Sequence, residues 1–114
     1  MVFGNAAEAW RNTRGWFLGH FMPGADNRLR SDDVELKWFT HPKGDTRGEC
    51  APGNSVRTLN ILIRGGFVLE FPGREVTLEN EGDFVLFGPF VPHSFRSLDE
   101  SLVLTVRWPS LRVA

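Results

Sequence analysis

Three histidines and a single cysteine are the side chains of this 114-residue chain best suited to chemistry. Imidazole and thiolate groups bind divalent transition metals, and imidazole also transfers protons near neutral pH. His20 stands in an apolar segment and is predicted to be structural. Two imidazoles, a carboxylate and a thiolate suffice for zinc or iron, so one hypothesis is a divalent metal held by four residues. These are His41, Glu49, Cys50 and His93.

A second hypothesis assigns acid–base catalysis to the same histidines. Either His93 or His41 could act as a catalytic general base near pH 7, because imidazole titrates in that range. A carboxylate such as Asp45 or Glu49 would orient the ring. The chain has no tyrosine, so a phenol cannot be the partner acid in such a reaction.

The hydrophobic pattern places these residues among short strands. Residues 34–41 alternate between two faces, one of which carries Lys37, Phe39 and His41. Residues 56–63 form a dense apolar strand. Strands are predicted over eight segments: residues 16–22, 34–41, 56–63, 67–71, 74–78, 84–87 (a buried strand), 93–96 and 102–108.

Turns rich in glycine and proline separate these strands, and only one short helix is predicted. Asn5 and Glu8 have the spacing of a capping box that opens a helix within residues 5–14. Ten phenylalanines and four tryptophans supply the bulky side chains that strands favour. The chain is therefore predicted to be one all-β domain over residues 1–114, either a sandwich or a barrel.

One segment resembles the second motif of the cupin superfamily: Gly82-Asp83-Phe84-Val85-Leu86-Phe87-Gly88-Pro89-Phe90-Val91-Pro92-His93. In that motif a Gly-Asp turn begins a strand, a Gly/Pro loop follows, and a metal-binding His stands eleven residues after the Gly, as His93 stands after Gly82. Residues 59–69 resemble the end of the first motif. The resemblance covers residues 56–108 and implies a double-stranded β-helix, or jelly-roll barrel, with a short N-terminal helix.

The metal ligands of the family carry over poorly to this chain. The family has a His-x-His pair and a Glu upstream of the first-motif Gly. Here the Glu position falls on Thr58, and the His-x-His pair falls on one of two pairs: Pro52 and Asn54, or Ala51 and Gly53. None of these side chains binds a transition metal strongly. The resemblance therefore implies a degenerate metal site in which only His93 remains, so the cofactor is either none or an unknown divalent metal.

The same resemblance implies that the Thr58 face of its strand points into the barrel. Thr58 and Asn60 share this face because side chains alternate along a strand, and His93 and Phe95 would lie across from them. A few polar groups that converge between aromatic walls are typical of a small-molecule pocket. Thr58, Asn60, His93, Phe95 and Arg96 are the predicted ligand-binding residues.

Arg96 and Arg107 stand near the strand of His93 and are candidate clamps for a carboxylate or a phosphate. The leading hypothesis is thus a cupin-like binding or regulatory domain for a sugar-like molecule or an organic acid, without the standard metal set. Two alternatives stay open: a metal-dependent cupin oxygenase or isomerase with an unusual ligand set, and a metal-independent isomerase or epimerase.

The charge balance and the cysteine content bound the partners. The formal net charge is −1, so the chain lacks the positive field that drives binding to nucleic acid. The single Cys50 cannot form a disulfide within the chain, and no signal-like segment precedes the first strand, which predicts a cytoplasmic protein. No apolar stretch approaches the ~20 residues of a membrane span.

A homodimer is expected, formed through edge strands at residues 16–22 and 34–40. These segments are apolar on at least one face and contain Trp16 and Trp38, aromatic residues of the type that is enriched at interfaces. All four tryptophans, which also include Trp10 and Trp108, are assigned to the core by default, and exposure of some of them would mark the dimer face.

Overall fold

The computed structural model describes residues 1–9, 13–47 and 54–110, and most regular structure in them is β. The eight strands are β1 (Trp16–Leu18), β2 (Glu35–His41), β3 (Arg57–Arg64), β4 (Phe67–Phe71), β5 (Arg74–Leu78), β6 (Phe84–Phe87), β7 (Ser94–Ser97) and β8 (Ser101–Trp108). Each predicted strand segment thus contains a strand.

The strands form two antiparallel sheets. Five strands lie in the order β1-β2-β8-β3-β6, and three lie in the order β5-β4-β7. Large apolar side chains from both sheets make one core cluster, namely Leu62 and Val103 from the larger sheet and Phe67, Leu69 and Leu78 from strands β4 and β5. The all-β jelly-roll prediction is confirmed.

Within residues 1–9, the predicted N-terminal helix contains a 3₁₀ turn, Ala6–Ala9. The Asn5 side chain accepts a hydrogen bond from the Ala7 amide at 2.8 Å, and the Asn5 carbonyl accepts one from the Glu8 amide at 3.2 Å. Asn5 therefore begins the helix as predicted, because its side chain satisfies an amide that has no partner within the turn.

Two segments match their predicted bounds because their turn residues fit the geometry. The β4–β5 hairpin turns at Pro72-Gly73, where Gly73 has φ of 77°, a conformation that side chains with a Cβ rarely adopt. Strand β6 follows a turn in which Asp83 accepts hydrogen bonds from the Glu79 and Asn80 amides at 2.9 and 2.8 Å. The Gly-Asp sequence thus forms the turn that the cupin-like motif implies.

Two strand predictions were wrong in part. Strand β1 ends at Leu18, before the predicted residue 22, because Gly19 pairs its amide with Leu29 and its carbonyl with Ser31 in a folded loop. Strand β6 was predicted to be buried, yet Phe84 is 65% exposed. Strand β6 lies at the sheet edge and pairs only with β3, so one of its faces meets solvent.

The inner face of the five-stranded sheet changes from apolar to polar along the strands. Phe39, Val103 and Leu62 lie side by side on β2, β8 and β3 and join the core end. The next row contains Lys37, Thr105, Asn60 and Val85, and the last row contains Glu35, Arg107, Thr58 and Phe87. The barrel therefore has an apolar end and a polar, cationic end.

The outer face of the same sheet is apolar. Two rows of side chains cross strands β2, β8, β3 and β6: Leu36, Val106, Leu59 and Leu86, followed by Trp38, Leu104, Ile61 and Phe84. Six of the eight are half-buried, and the two on β6 are exposed. We call these eight residues the outer face.

The sheet order bears on the two segments predicted to form the dimer interface. Strand β1 lies at the edge of the larger sheet, as predicted, whereas strand β2 pairs with β1 on one side and β8 on the other, so it is not an edge strand. Trp16 and Trp38 are both half-buried, as is Trp108, and Trp10 lies outside the described residues. No helix in the described part of the chain has the length and apolarity to cross a membrane.

Candidate ligand-binding site

A small cavity of about 90 Å³ lies between the two sheets at the polar end of the barrel. Strands β2, β3, β7 and β8 each direct alternate side chains into it, as the two-residue period requires. The lining residues are Trp16, Lys37, His41, Arg47, Thr58, Asn60, Phe67, Leu69, Phe87, His93, Phe95, Val103, Thr105 and Arg107.

Four predicted ligand-binding residues, Thr58, Asn60, His93 and Phe95, line this cavity. Thr58 and Asn60 are buried on β3, at 5% and 7% exposure. The Thr105 hydroxyl donates to the Asn60 side-chain carbonyl at 2.8 Å, which fixes the orientation of the amide. A hydroxyl and an amide therefore face the cavity from β3.

Arg96, the fifth predicted ligand-binding residue, does not line the cavity. Phe95 points inward, so its neighbour Arg96 points to the outside of the smaller sheet. There its guanidinium donates two hydrogen bonds to Glu75, at 2.9 and 3.2 Å, and lies 3.3 Å from a Glu70 oxygen. The prediction failed because it considered the strand and not the side of the strand.

Of the four residues proposed to hold a metal, Glu49 and Cys50 lie outside the described residues. His41 and His93 both line the cavity. The described residues contain no group of three His, Cys, Asp or Glu side chains placed to hold a metal ion.

His41 is a core-packed residue at the end of β2. Its ring lies between three phenylalanine rings, Phe39, Phe67 and Phe95, with centroids 4.8 to 5.0 Å away. Its Nδ1 is 2.8 Å from an Asp45 carboxylate oxygen. Burial lowers the pKa of His41 below 6.5, and the hydrogen bond to Asp45 opposes that shift only in part. The ring is therefore neutral at pH 7.

His93 lies across the cavity from β3. Its Nδ1 donates to the Val91 carbonyl at 3.1 Å, and its ring packs on Phe87 with a centroid distance of 4.6 Å. Burial lowers the pKa of His93, and Arg107 and Arg47 lower it further by charge repulsion. A neutral ring that donates through Nδ1 keeps a lone pair on Nε2, so His93 can accept a hydrogen bond.

Three cations, Lys37, Arg47 and Arg107, also line the cavity. The Lys37 Nζ lies 5.7 Å from the centroid of the Trp16 ring, and the Arg107 guanidinium carbon lies 5.2 Å from it. Burial lowers the pKa of Lys37 to about 8, and repulsion from Arg14, Arg107 and Arg47 adds to the shift. No Asp or Glu is among the lining residues of the described structure.

Arg107 forms a salt bridge with the buried carboxylate of Glu35. Glu35, opposite Arg107 on β2, accepts a hydrogen bond from its Nη1 at 3.3 Å. The Ser110 hydroxyl donates to the other Glu35 oxygen at 2.8 Å. The Arg107 Nε is the buried side-chain nitrogen that has no hydrogen-bond partner among the described residues. A buried donor of this kind costs about 1–3 kcal/mol unless a ligand or water accepts its hydrogen bond.

Two of these three cations could be placed from the sequence. Lys37 shares the face of His41 by simple alternation, and Arg107 was a candidate clamp. The position of Arg47 at the cavity could not be predicted, because Arg47 lies in the loop after β2, where side chains do not alternate with a fixed period. The isolated bridge between Thr46 and Arg96 and the hydrogen bond from the Arg47 amide to Phe95 fix this loop at the cavity.

The described side chains at the cavity do not fit a divalent metal. Thr58 stands where the sequence resemblance places the family's Glu, and a hydroxyl is a weak ligand for transition metals. The cavity also presents Lys37, Arg47 and Arg107, whose positive charges repel a metal ion. Among the described residues at the cavity, His41 and His93 are the two side chains that bind transition metals well, and three cations surround them.

Solved structures support the fold. The chain is similar to KdgF from Halomonas sp. with a TM-score of 0.62 and 20% identity over 69% of this chain and 72% of that one. It is similar to a cupin superfamily protein from Desulfitobacterium hafniense DCB-2, with a TM-score of 0.62 and 17% identity over 76% and 83%. It is also similar to the DMSP lyase DddQ from Ruegeria pomeroyi DSS-3, with a TM-score of 0.63 and 20% identity over 75% of this chain and 43% of that one.

No family model matches the chain, and no curated protein sequence matches it. The eight strands, their order in two sheets and the structural neighbours together define the class: the chain has the double-stranded β-helix fold of the cupins. Proteins of this fold include enzymes such as the lyase above, and identities at or below 20% establish the fold alone.

Proposed function

We propose that this protein is a binding or regulatory domain that holds a small organic acid in its barrel, without the metal set of other cupins. The carboxylate of the acid accepts hydrogen bonds from Arg107 and lies near Lys37 and Arg47. The carrying observation is a cavity lined by Lys37, Arg47 and Arg107, together with a buried Arg107 Nε that has no hydrogen-bond partner among the described residues.

The charge of the cavity favours an organic acid over a sugar-like ligand. Lys37, Arg47 and Arg107 give the cavity an excess of positive charge, which the Glu35 carboxylate beside Arg107 offsets only in part. An anion lowers that excess charge, whereas a neutral sugar leaves it in place. Thr58, Asn60 and the neutral His93 then supply the hydrogen bonds that orient the rest of the ligand.

The volume of the cavity limits the size of the ligand. About 90 Å³ corresponds to roughly three water volumes, which suits an acid on the order of three to six non-hydrogen atoms. Acetate and pyruvate are probes of this size. A nucleotide or a disaccharide is much too large for the cavity in this conformation.

Calorimetry with matched pairs tests this function. Acetate and pyruvate are titrated into the protein beside acetamide, pyruvamide and glucose, at low and high salt. We expect the acids to bind and the neutral compounds to bind at least tenfold more weakly, with an affinity for the acids that falls as salt rises. Glucose or the amides binding as well as the acids would contradict the proposal.

Elemental analysis of the purified protein separates this function from a metal-dependent enzyme. About one iron, manganese or zinc per chain that His93→Ala removes would support the metal-dependent reading, with His41, Glu49 or Cys50 as further ligands, and would end the present proposal. Metal content far below one per chain that titration does not raise agrees with the organic-acid site.

The hydrogen bond between His41 and Asp45 supports a second candidate, a metal-independent isomerase. A neutral imidazole oriented by a carboxylate can remove a proton from the carbon next to the ketone of a bound 2-oxo acid, whose oxygen takes a proton to give the enol. NMR in D₂O would detect exchange of the methyl protons of pyruvate above the rate without protein. The exchange should disappear in His41→Gln and persist in His20→Gln. No acceleration by the wild-type protein would end this candidate.

A further inference from the structure

Lys37 is a half-buried lysine that forms no salt bridge with the described residues. It projects from the inner face of β2 into the cavity. Its Nζ lies 4.9 Å from the centroid of the Phe39 ring and 5.7 Å from that of Trp16. A lysine in this position destabilises the fold relative to a methionine or leucine, so packing alone does not explain it.

We propose that Lys37 captures a 2-oxo acid covalently, its Nζ forming an imine with the carbonyl carbon while Arg107 binds the carboxylate. The inference rests on the proposed function and deepens it, because it selects 2-oxo acids among small organic acids and adds a chemical step.

The sheet register places the two groups at a suitable separation. Lys37 lies opposite Thr105 on β8, and Arg107 follows two residues later on the same face. Diagonal neighbours of this kind are about 7–8 Å apart at the backbone, within reach of two long side chains. Both head groups also lie within 6 Å of the centre of the Trp16 ring. A carboxylate and an adjacent carbonyl can therefore contact Arg107 and Lys37 together.

The surroundings of Lys37 favour the neutral amine, which is the nucleophile. Burial lowers its pKa to about 8, the nearby Arg14, Arg107 and Arg47 add to the shift, and the charge of Asp45 opposes it only in part. A substantial fraction of the amine is thus uncharged slightly above neutral pH, whereas an exposed lysine is almost fully protonated. Desolvation and a cationic neighbour are the usual means by which lysines are activated for imine formation.

The reaction balances without a further reagent. The Nζ lone pair forms a bond to the carbonyl carbon, the C=O π bond breaks, and the oxygen takes a proton to give a carbinolamine. Loss of water then forms the C=N bond, and hydrolysis returns the amine and the 2-oxo acid. His93, with its free Nε2 lone pair, lies on the same cavity and can exchange protons with the water that is released.

Reductive trapping tests the inference, and the chain contains its own control. Lys37 and Lys43 are the two lysines of the chain, and Lys43 is exposed in the loop after β2. The full-length protein is incubated with pyruvate and sodium cyanoborohydride, and peptide mass mapping locates the adduct on Lys37, on Lys43 or on the α-amino group. Lys37→Arg and Lys43→Arg are treated in parallel after circular dichroism shows that both are folded.

We expect one adduct on Lys37 that Lys37→Arg abolishes and Lys43→Arg retains, with a yield that rises with pH through about 8. Lactate, which lacks the carbonyl, should protect Lys37 by competition. Equal labelling of both lysines, or labelling confined to Lys43 and the amino terminus, would overturn the inference.

Parallel calorimetry separates failure of this step from failure of the binding site. Pyruvate that binds with no adduct on Lys37 overturns the imine and leaves the organic-acid site intact. If neither binding nor an adduct is observed, both the step and the proposed function are wrong.

Discussion

The two faces of the five-stranded sheet differ most at the polar end of the barrel. Toward the interior this end presents Lys37, Thr105, Arg107 and Asn60, and toward the exterior the same strands present the eight apolar residues of the outer face. Burial of apolar groups stabilises a fold and burial of charges destabilises it. We propose two uses of one sheet on this ground: a ligand inside and a partner surface outside.

Arg107→Lys is expected to have the largest effect on the inner face. Lysine keeps the charge and loses the planar fork, so it cannot donate to Glu35 and to the ligand at once. Hydrogen bonds to charged groups contribute about 1.5–3 kcal/mol, so acetate should bind about tenfold to hundredfold more weakly by calorimetry. Arg57→Lys, on the exposed end of β3, is the control and should change little.

Lys37→Met should stabilise the protein. The lowered pKa of Lys37 means that the folded state is penalised while the amine is charged. The penalty is complete below pH 8 and disappears as pH rises from about 8 to 10.5. Urea unfolding should therefore show a gain of about 1–3 kcal/mol at pH 7 that shrinks at pH 10. A loss of stability at pH 7 would show that Lys37 has a structural counter-ion.

Phe84→Glu should break assembly on the opposite face. We expect a homodimer in which a second copy covers the outer face, in place of the edge-strand interface predicted from the sequence. Four strands about 4.8 Å apart and up to eight residues long give a face of at most roughly 500 Å², somewhat smaller than the ~800 Å² per partner of a standard interface.

Sedimentation at micromolar concentration should show a dimer for the wild-type protein and a monomer for Phe84→Glu, because a charge in an apolar interface weakens association at least tenfold. Thr77→Glu, on the exposed edge strand β5, serves as the control and should remain dimeric. A wild-type monomer at this concentration would refute the dimer while leaving the inner site untouched.

Acidification should have the smallest effect. The pKa values of His41 and His93 are lowered in the folded state, so the unfolded chain binds more protons below pH 6.5. Stability should therefore decrease as pH falls from 6.5, by about 1 kcal/mol per unit of pH for each histidine at most. His93→Gln should reduce that dependence, as measured by urea unfolding at pH 5 and pH 7. If the free energy of unfolding of His93→Gln depended on pH as steeply as that of the wild-type protein, the pKa of His93 would be the same in the folded and unfolded states.

Much of the fold could be predicted from the sequence because local rules decide it. The Pro72-Gly73 turn sets the β4–β5 hairpin, and the Gly82-Asp83 turn sets the start of β6. Alternation on β2 also correctly placed Lys37 and His41 on one face of the strand and Leu36 on the other. Alternation alone does not say which face lies inside, however, and here an apolar outer face lies opposite an inner face that carries both core residues and the polar cavity.

The site was less predictable because it depends on sheet order and loop position. Arg96 was assigned to the ligand although alternation sends it outward beside Phe95. Strand β8 inserts between β2 and β3, which brings Arg107 next to Glu35 and Thr58, and no local pattern encodes that pairing. Arg47 reaches the cavity from a loop.

NMR of the Arg107 side chain tests the central claim most directly. We propose that the Arg107 Nε–H, which has no hydrogen-bond partner among the described residues, donates to the carboxylate of a bound acid. In ¹H–¹⁵N spectra the Nε–H signal of Arg107, assigned with Arg107→Lys, should shift on titration with acetate and stay in place with acetamide. Signals of the outer face should not move. An Arg107 signal that ignores acetate, or equal shifts with acetamide, would contradict an anion site in this barrel.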